Sequence, residues 1–108
     1  AAKEFPGRVV VVPTDVTDQA SVEHLRRATE ETFGEVDVLV NNAGGVAHPG
    51  PFLETPRANW EWEVNLNIWG VVNCTRTFGA GMVERGYGAI VQITSIARAG
   101  TVPIGPSE

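Results

Sequence analysis

The chain has 108 residues, enough for one domain and short for two. Eight basic against thirteen acidic residues leave a net charge of −5, and Lys3 is the sole lysine, so the clustered cations that nucleic acid or an anionic membrane requires are missing. A single cysteine, Cys74, excludes an internal disulfide and a cysteine-built zinc site, and no apolar run reaches the roughly 18 residues of a membrane span. Ala1–Phe5 has neither a starting Met nor the apolar core of a signal peptide, and this beginning reads as cut. A cytoplasmic setting is the plainer expectation.

Pro6-Gly7 is a turn, and Arg8-Val9-Val10-Val11-Val12 reads as a strand that is apolar on both faces, as in a parallel sheet covered by helices. Thr14-Asp15-Val16-Thr17-Asp18 leaves that strand with several candidate caps for a helix over Gln19–Phe33. Val22, Leu25, Ala28, Thr29 and Phe33 fall at helical spacing, Glu23 and Arg27 form an i,i+4 pair on the wet face, and Gly34 ends the helix. Val36–Asn41 is the second strand, and Asn42–Leu53, with three Gly and two Pro, is a loop. Thr55-Pro56 reads as an N-cap followed by a first-turn proline, opening a long helix to Glu84 with weak points at Gly70, Gly79 and Gly81. Arg85-Gly86-Tyr87-Gly88 closes it, Ala89–Thr94 is the third strand, and the Gly- and Pro-rich stretch from Ser95 to Glu108 is loop.

The order β-α-β-α-β, with helices longer than ten residues between buried strands, predicts an α/β fold built as a doubly wound parallel sheet with right-handed crossovers. In such sheets ligands lie beyond the carboxyl ends of the strands. Asp15, the run Asn41-Asn42-Ala43-Gly44, and Ser95 each follow such an end. Gly44 and Gly45 allow the backbone a sharp turn close to a ligand. Read singly, Asp15 is a helix-entry residue, Asn41-Asn42 a turn and Ser95 a turn former; together they mark one site.

These pieces, with Asn67-Ile68-Trp69-Gly70 and Gly88-Ala89-Ile90-Val91-Gln92-Ile93-Thr94-Ser95, resemble the short-chain dehydrogenase/reductase family, whose Rossmann-like members move hydride between a nicotinamide dinucleotide and an alcohol or carbonyl. The resemblance spans nearly the whole chain and matches the family's third to fifth strands, so residues 1–108 are expected to form a single, incomplete NAD(P)-binding domain. It implies NAD or NADP as cofactor without choosing between them, a small alcohol or carbonyl substrate, and a homo-oligomer in the complete protein. By the same resemblance Asp15 and Val16 contact the adenine, and Asn41, Ala43 and Gly44 line the nicotinamide-ribose side and brace the sheet. Ser95 donates to the substrate oxygen.

Two asparagines compete for the family's helix position, Asn65 and Asn67. Asn67 has Gly70 three residues on and Trp60 seven residues before it, and is preferred. The role implied is a main-chain interaction that distorts the helix and holds a water for proton relay. The family's glycine-rich phosphate loop and its Tyr-x-x-x-Lys are not in the sequence, since twelve to fourteen residues beyond Ser95 is Ser107, Glu108 or past the end. Tyr87 precedes the third strand, and His48 and His24 read as loop and surface residues. These 108 residues alone are therefore expected to be inactive. The alternative is a non-catalytic binding or oligomerisation module of the same fold, for which Trp60, Trp62 and Trp69 offer a helix face if they are not core. The strand Arg8–Val12, lacking its neighbours, is expected to pair beside Val36–Val40 or with another copy.

Overall fold

Helix α1 covers Gln19–Phe33, the range its apolar spacing predicts, because both of its ends are written locally. Asp18 accepts from the Ala20 amide at 3.1 Å through Oδ1, and the Gly34 amide donates to the Glu30 carbonyl at 2.9 Å. In a computed structural model the described residues are 7–44 and 51–93. Strand β1 is Val38–Asn41, helix α2 is Arg57–Val64, helix α3 is Gly70–Arg85 and strand β2 is Ala89–Gln92. A 3₁₀ turn over Phe52–Glu54 precedes α2, and a π-helical stretch over Asn65–Trp69 joins α2 to α3.

The two strands pair in parallel, Val38 opposite Ala89 through Asn41 opposite Gln92. Bonds from the Ala89 amide to the Asp37 carbonyl (2.9 Å) and from the Ile93 amide to the Asn41 carbonyl (3.1 Å) extend the ladder at both ends. Parallel pairing needs a crossover, which α2, the π stretch and α3 supply. One face of the sheet is covered: Val22 of α1, wholly buried, packs with Cys74 and Phe78 of α3, and Val16, Leu25, Val36 and Leu39 close around them. Val38 and Val40 point the other way, as strand alternation requires, and stay more than half exposed.

Several expectations are corrected. Arg8–Val12 forms no strand; the sheet among the described residues is β1 and β2 alone, so the pairing expected beside Val36–Val40 does not occur. A strand is defined by its ladder, and β-branched composition without a neighbour does not make one. Thr55 does not cap α2: its hydroxyl donates back to the Pro51 carbonyl at 2.9 Å, and Pro56 takes the cap position. The ion pair on α1 runs from Glu23 to Arg26 at 3.4 Å, not to Arg27. Phe33, expected in the apolar face, is about half exposed. For the three tryptophans, where helix face and core were both open, core is the reading that fails: Trp60, Trp62 and Trp69 are all more than a third exposed, and Trp60 stacks at a tilt on Phe52 with centroids 4.9 Å apart.

The end of α3 is fixed by a Schellman motif. Tyr87 donates to the Met82 carbonyl (3.1 Å) and Gly86 to the Val83 carbonyl (3.2 Å), with Gly86 at φ 70°, where only glycine is free of strain. Arg85 beside it reaches back to the start of β1. Its Nη2 donates to the Val36 carbonyl at 2.6 Å, and Nε pairs with Glu35 at 3.2 Å. Since Glu35 is largely exposed, the carbonyl bond carries most of the effect. Arg85→Ala should lower stability by about 1.5–3 kcal/mol, the usual worth of a charge-assisted bond, read as a fall in the urea midpoint; Arg85→Lys, which keeps charge but not the forked geometry, should recover less than half of it.

Candidate active site at the carboxyl ends of the strands

The π stretch decides which asparagine meets the loop after β1. The Gly70 amide donates to the Asn65 carbonyl, five residues back, which widens the turn. Asn67 sits in the middle of the widened turn, and its Nδ2 donates to the Glu63 carbonyl at 2.8 Å. Its Oδ1 lies so close to Gly44 that a Cβ on Gly44 would stand 2.7 Å from it. Only a residue without a Cβ lets the Asn41–Gly44 loop and the helix approach this far. Asn65 instead lines an open groove of about 780 Å³ with Thr55, Arg57, Trp60 and Trp69, a surface that includes none of the loop residues.

The loop after β1 is anchored at its root. Asn41 is buried, and its Nδ2 donates to the Thr75 hydroxyl at 3.2 Å, so this side chain braces the strand end against α3. Asn42, Ala43 and Gly44 are exposed beyond it. Val16 comes to the same place from the other side. Its Cγ2 lies 2.7 Å from where a Gly70 Cβ would be, and its carbonyl accepts from Asn73 Nδ2 at 2.9 Å. Val16, Leu39, Asn41, Asn42, Ala43 and Gly70 thus share the wall of one cavity of about 120 Å³.

Asp15 begins this turn as an Asx motif. Its Oδ1 accepts from the Thr17 hydroxyl (2.6 Å) and the Thr17 amide (2.9 Å), and these two bonds, the hydroxyl first, hold its carboxyl below the ordinary value of 3.8. A depressed carboxyl supports the turn above pH 3.8 and loses that support as pH falls through the lowered value. The Asp15 amide donates to Ser21 Oγ at 2.8 Å, which makes Asp15 a helix-entry residue, next to Val16 of the cavity wall. Cys74 is buried in the wall of the same cavity, and desolvation pushes its thiol above 9.0, as expected of a packing residue.

Val16, Asn41 and Ala43 therefore share one cavity at the carboxyl end of β1, Gly44 meets Asn67 beside it, and Asp15 adjoins it through Val16. Ser95, His48, Gly45 and Thr94 lie outside the described residues. Tyr87 stands at the opposite, amino end of β2, and His24 is exposed on α1. Sequence reasoning passed over Asn73 and Thr75, which hold Val16 and Asn41. The available signal was two polar residues alternating with the apolar Val72 and Cys74 on a helix that packs on the sheet.

The short chain dehydrogenase family model matches residues 1–106. The chain belongs to the short-chain dehydrogenase family. An uncharacterized oxidoreductase of Thermotoga maritima is 41% identical over 87 residues, covering 81% of this chain and 34% of that protein. Among solved structures, a putative short-chain dehydrogenase/reductase from Burkholderia xenovorans superposes with a TM-score of 0.84 at 32% identity, covering 95% of this chain and 40% of that one. ElxO with NADP bound superposes at 0.76 and 35% identity, over 84% of this chain and 37% of its own. The chain spans about a third of the length of the Thermotoga relative. At these identities the likeness extends beyond fold to family, and the α/β Rossmann-like architecture follows with it. Among the described residues no helix is long and apolar enough to cross a membrane, and no cluster of His, Cys, Asp and Glu could hold a metal.

Proposed function

We propose that these residues are the central part of an NAD(P)-dependent oxidoreductase that transfers hydride between the nicotinamide and a small alcohol or carbonyl compound. The observation that carries this is the convergence of Gly44 on Asn67 and of Val16 on Gly70, two close approaches at the carboxyl end of β1. Both spaces are filled by protein side chains, so the two glycines pack the loops onto the helix and hold the exposed backbone of Asn42–Gly44 beyond the carboxyl end of β1, where sheets of this kind take their ligands. The 120 Å³ cavity is smaller than the roughly 300 Å³ at which ordinary ligand pockets begin, so the described residues supply one wall of such a site.

On this reading Asp15 and Val16 hold the adenine end, and Ala43 and Gly44 approach the nicotinamide ribose. Asn41 acts from beneath, through Thr75. The dinucleotide, when bound, supplies or accepts the hydride. Ser95 donates its hydroxyl hydrogen to the substrate oxygen and stabilises charge developing there. Asn67 lies in the widened turn, where a main-chain carbonyl released from the α-helical pattern can hold a water for proton relay. The half-exposed Trp62 and Trp69 support assembly of the complete protein through this helix face.

The test is nicotinamide absorbance in the polypeptide that carries this segment at the length of its relatives, with NADH and NADPH against a panel of aldehydes and ketones. Turnover with at least one pair is expected. The 108 residues prepared alone, whose single tyrosine is Tyr87, should give none and bind either dinucleotide no better than about millimolar, equivalent to about 4 kcal/mol. Binding by the longer polypeptide without turnover on any substrate would favour the non-catalytic binding module, and no binding would reject the oxidoreductase and leave the oligomerisation module.

A further inference from the structure

Val16 is held in place by a residue that the family motifs do not mark. The turn from Asp15 to Asp18 fixes its own shape: Thr17 bonds Asp15 Oδ1, and the Asp18 amide donates to the Asp15 carbonyl at 3.0 Å. None of these bonds fixes where the turn sits. That is done from α3, by the Asn73 Nδ2 bond to the Val16 carbonyl across 57 positions of sequence, and by the Val16 side chain entering the space left at Gly70. Asn73 stands among Val71, Val72 and Cys74, where an asparagine lowers helix propensity, and among the described residues its side chain makes this bond.

Asn67 and Asn73 stand six positions apart on one helical run, the first against Gly44 and the second holding Val16. The same run therefore sets the gap between the two loops. We propose that Asn73 is a positioning residue for the adenosine end of the dinucleotide, acting through the Val16 carbonyl. The proposal rests on the oxidoreductase reading above. Losing the bond leaves Val16 held by its side chain alone, so its main chain can shift beside the cavity it shares with Asn42 and Ala43, and the ligand must then order it at the cost of affinity. The reacting end, set by Asn67 and Gly44, is left as it was.

Asn73→Ala and Asn73→Asp in the longer polypeptide test this. The aspartate keeps the side-chain volume but turns a donor into an acceptor facing a carbonyl. Both variants should weaken NADH or NADPH, and 5′-AMP used as a probe of the adenosine half, by the same factor of about five or more, the worth of one hydrogen bond. Nicotinamide mononucleotide should bind as before, and kcat at saturating dinucleotide should stay within about twofold, since transition-state contacts are untouched. Unchanged 5′-AMP affinity in Asn73→Asp would overturn the proposal. So would a fall in kcat matching the fall in affinity, which is what a merely structural role gives. If the unsubstituted protein bound neither NADH nor NADPH, the oxidoreductase reading would fail first and take this one with it.

Discussion

Ser95→Ala in the longer polypeptide should lower kcat by about a hundredfold or more, the usual cost of removing one preorganised donor at a developing oxyanion. Dinucleotide affinity should change little, because the hydroxyl is assigned to the substrate oxygen. Ser95 itself is outside the described residues, but the strand leading to it is fixed: Gln92 pairs with Asn41, and the Ile93 amide donates to the Asn41 carbonyl at 3.1 Å. The chain thus leaves β2 at the level where Asn42–Gly44 leave β1. Steady-state kinetics with the substrate found by the panel decide the matter. A change in kcat of less than about twofold, far below the cost of a lost donor, would make Ser95 a turn former and return the oxyanion role to another group.

The largest expected effect on stability is at Phe78. It is nearly buried between α1 and the sheet, with Val22, Cys74 and Leu39 around it. Phe78→Ala removes the ring and leaves a cavity that two helices and a strand must either keep or collapse into, at about 3–5 kcal/mol. A domain of this size has only about 5–10 kcal/mol in total, so the variant should be largely unfolded at moderate temperature. Leu53→Ala is the control: Leu53 is 93% exposed, and its loss should cost less than about 0.5 kcal/mol. Urea titration followed by tryptophan fluorescence reads both. Equal midpoints would show that the core lies elsewhere.

The sequence by itself determined those features whose causes are neighbours along the chain. Asp18 before the apolar spacing and Gly34 after it delimit α1 because a cap and a C-terminal glycine act within one turn. The apolar run before Asn41-Asn42-Ala43-Gly44 likewise marks a strand that ends in a loop, and the family resemblance follows from that run and the spacing of Asn67 and Gly70. The tertiary structure decided what depends on partners. Arg8–Val12 has the composition of a strand but no ladder, and hydrogen-bonded neighbours, not β-branching, make a strand. Asn67 and Asn65 carry nearly equal local letters, and the extra residue in the π turn sets one against Gly44 and the other on the outer groove. Asn73 and Thr75 look like ordinary helix polar residues until the fold brings Val16 and Asn41, 57 and 34 positions away, within hydrogen-bond reach. Contacts at that separation are set by packing of the whole unit, which no local pattern contains.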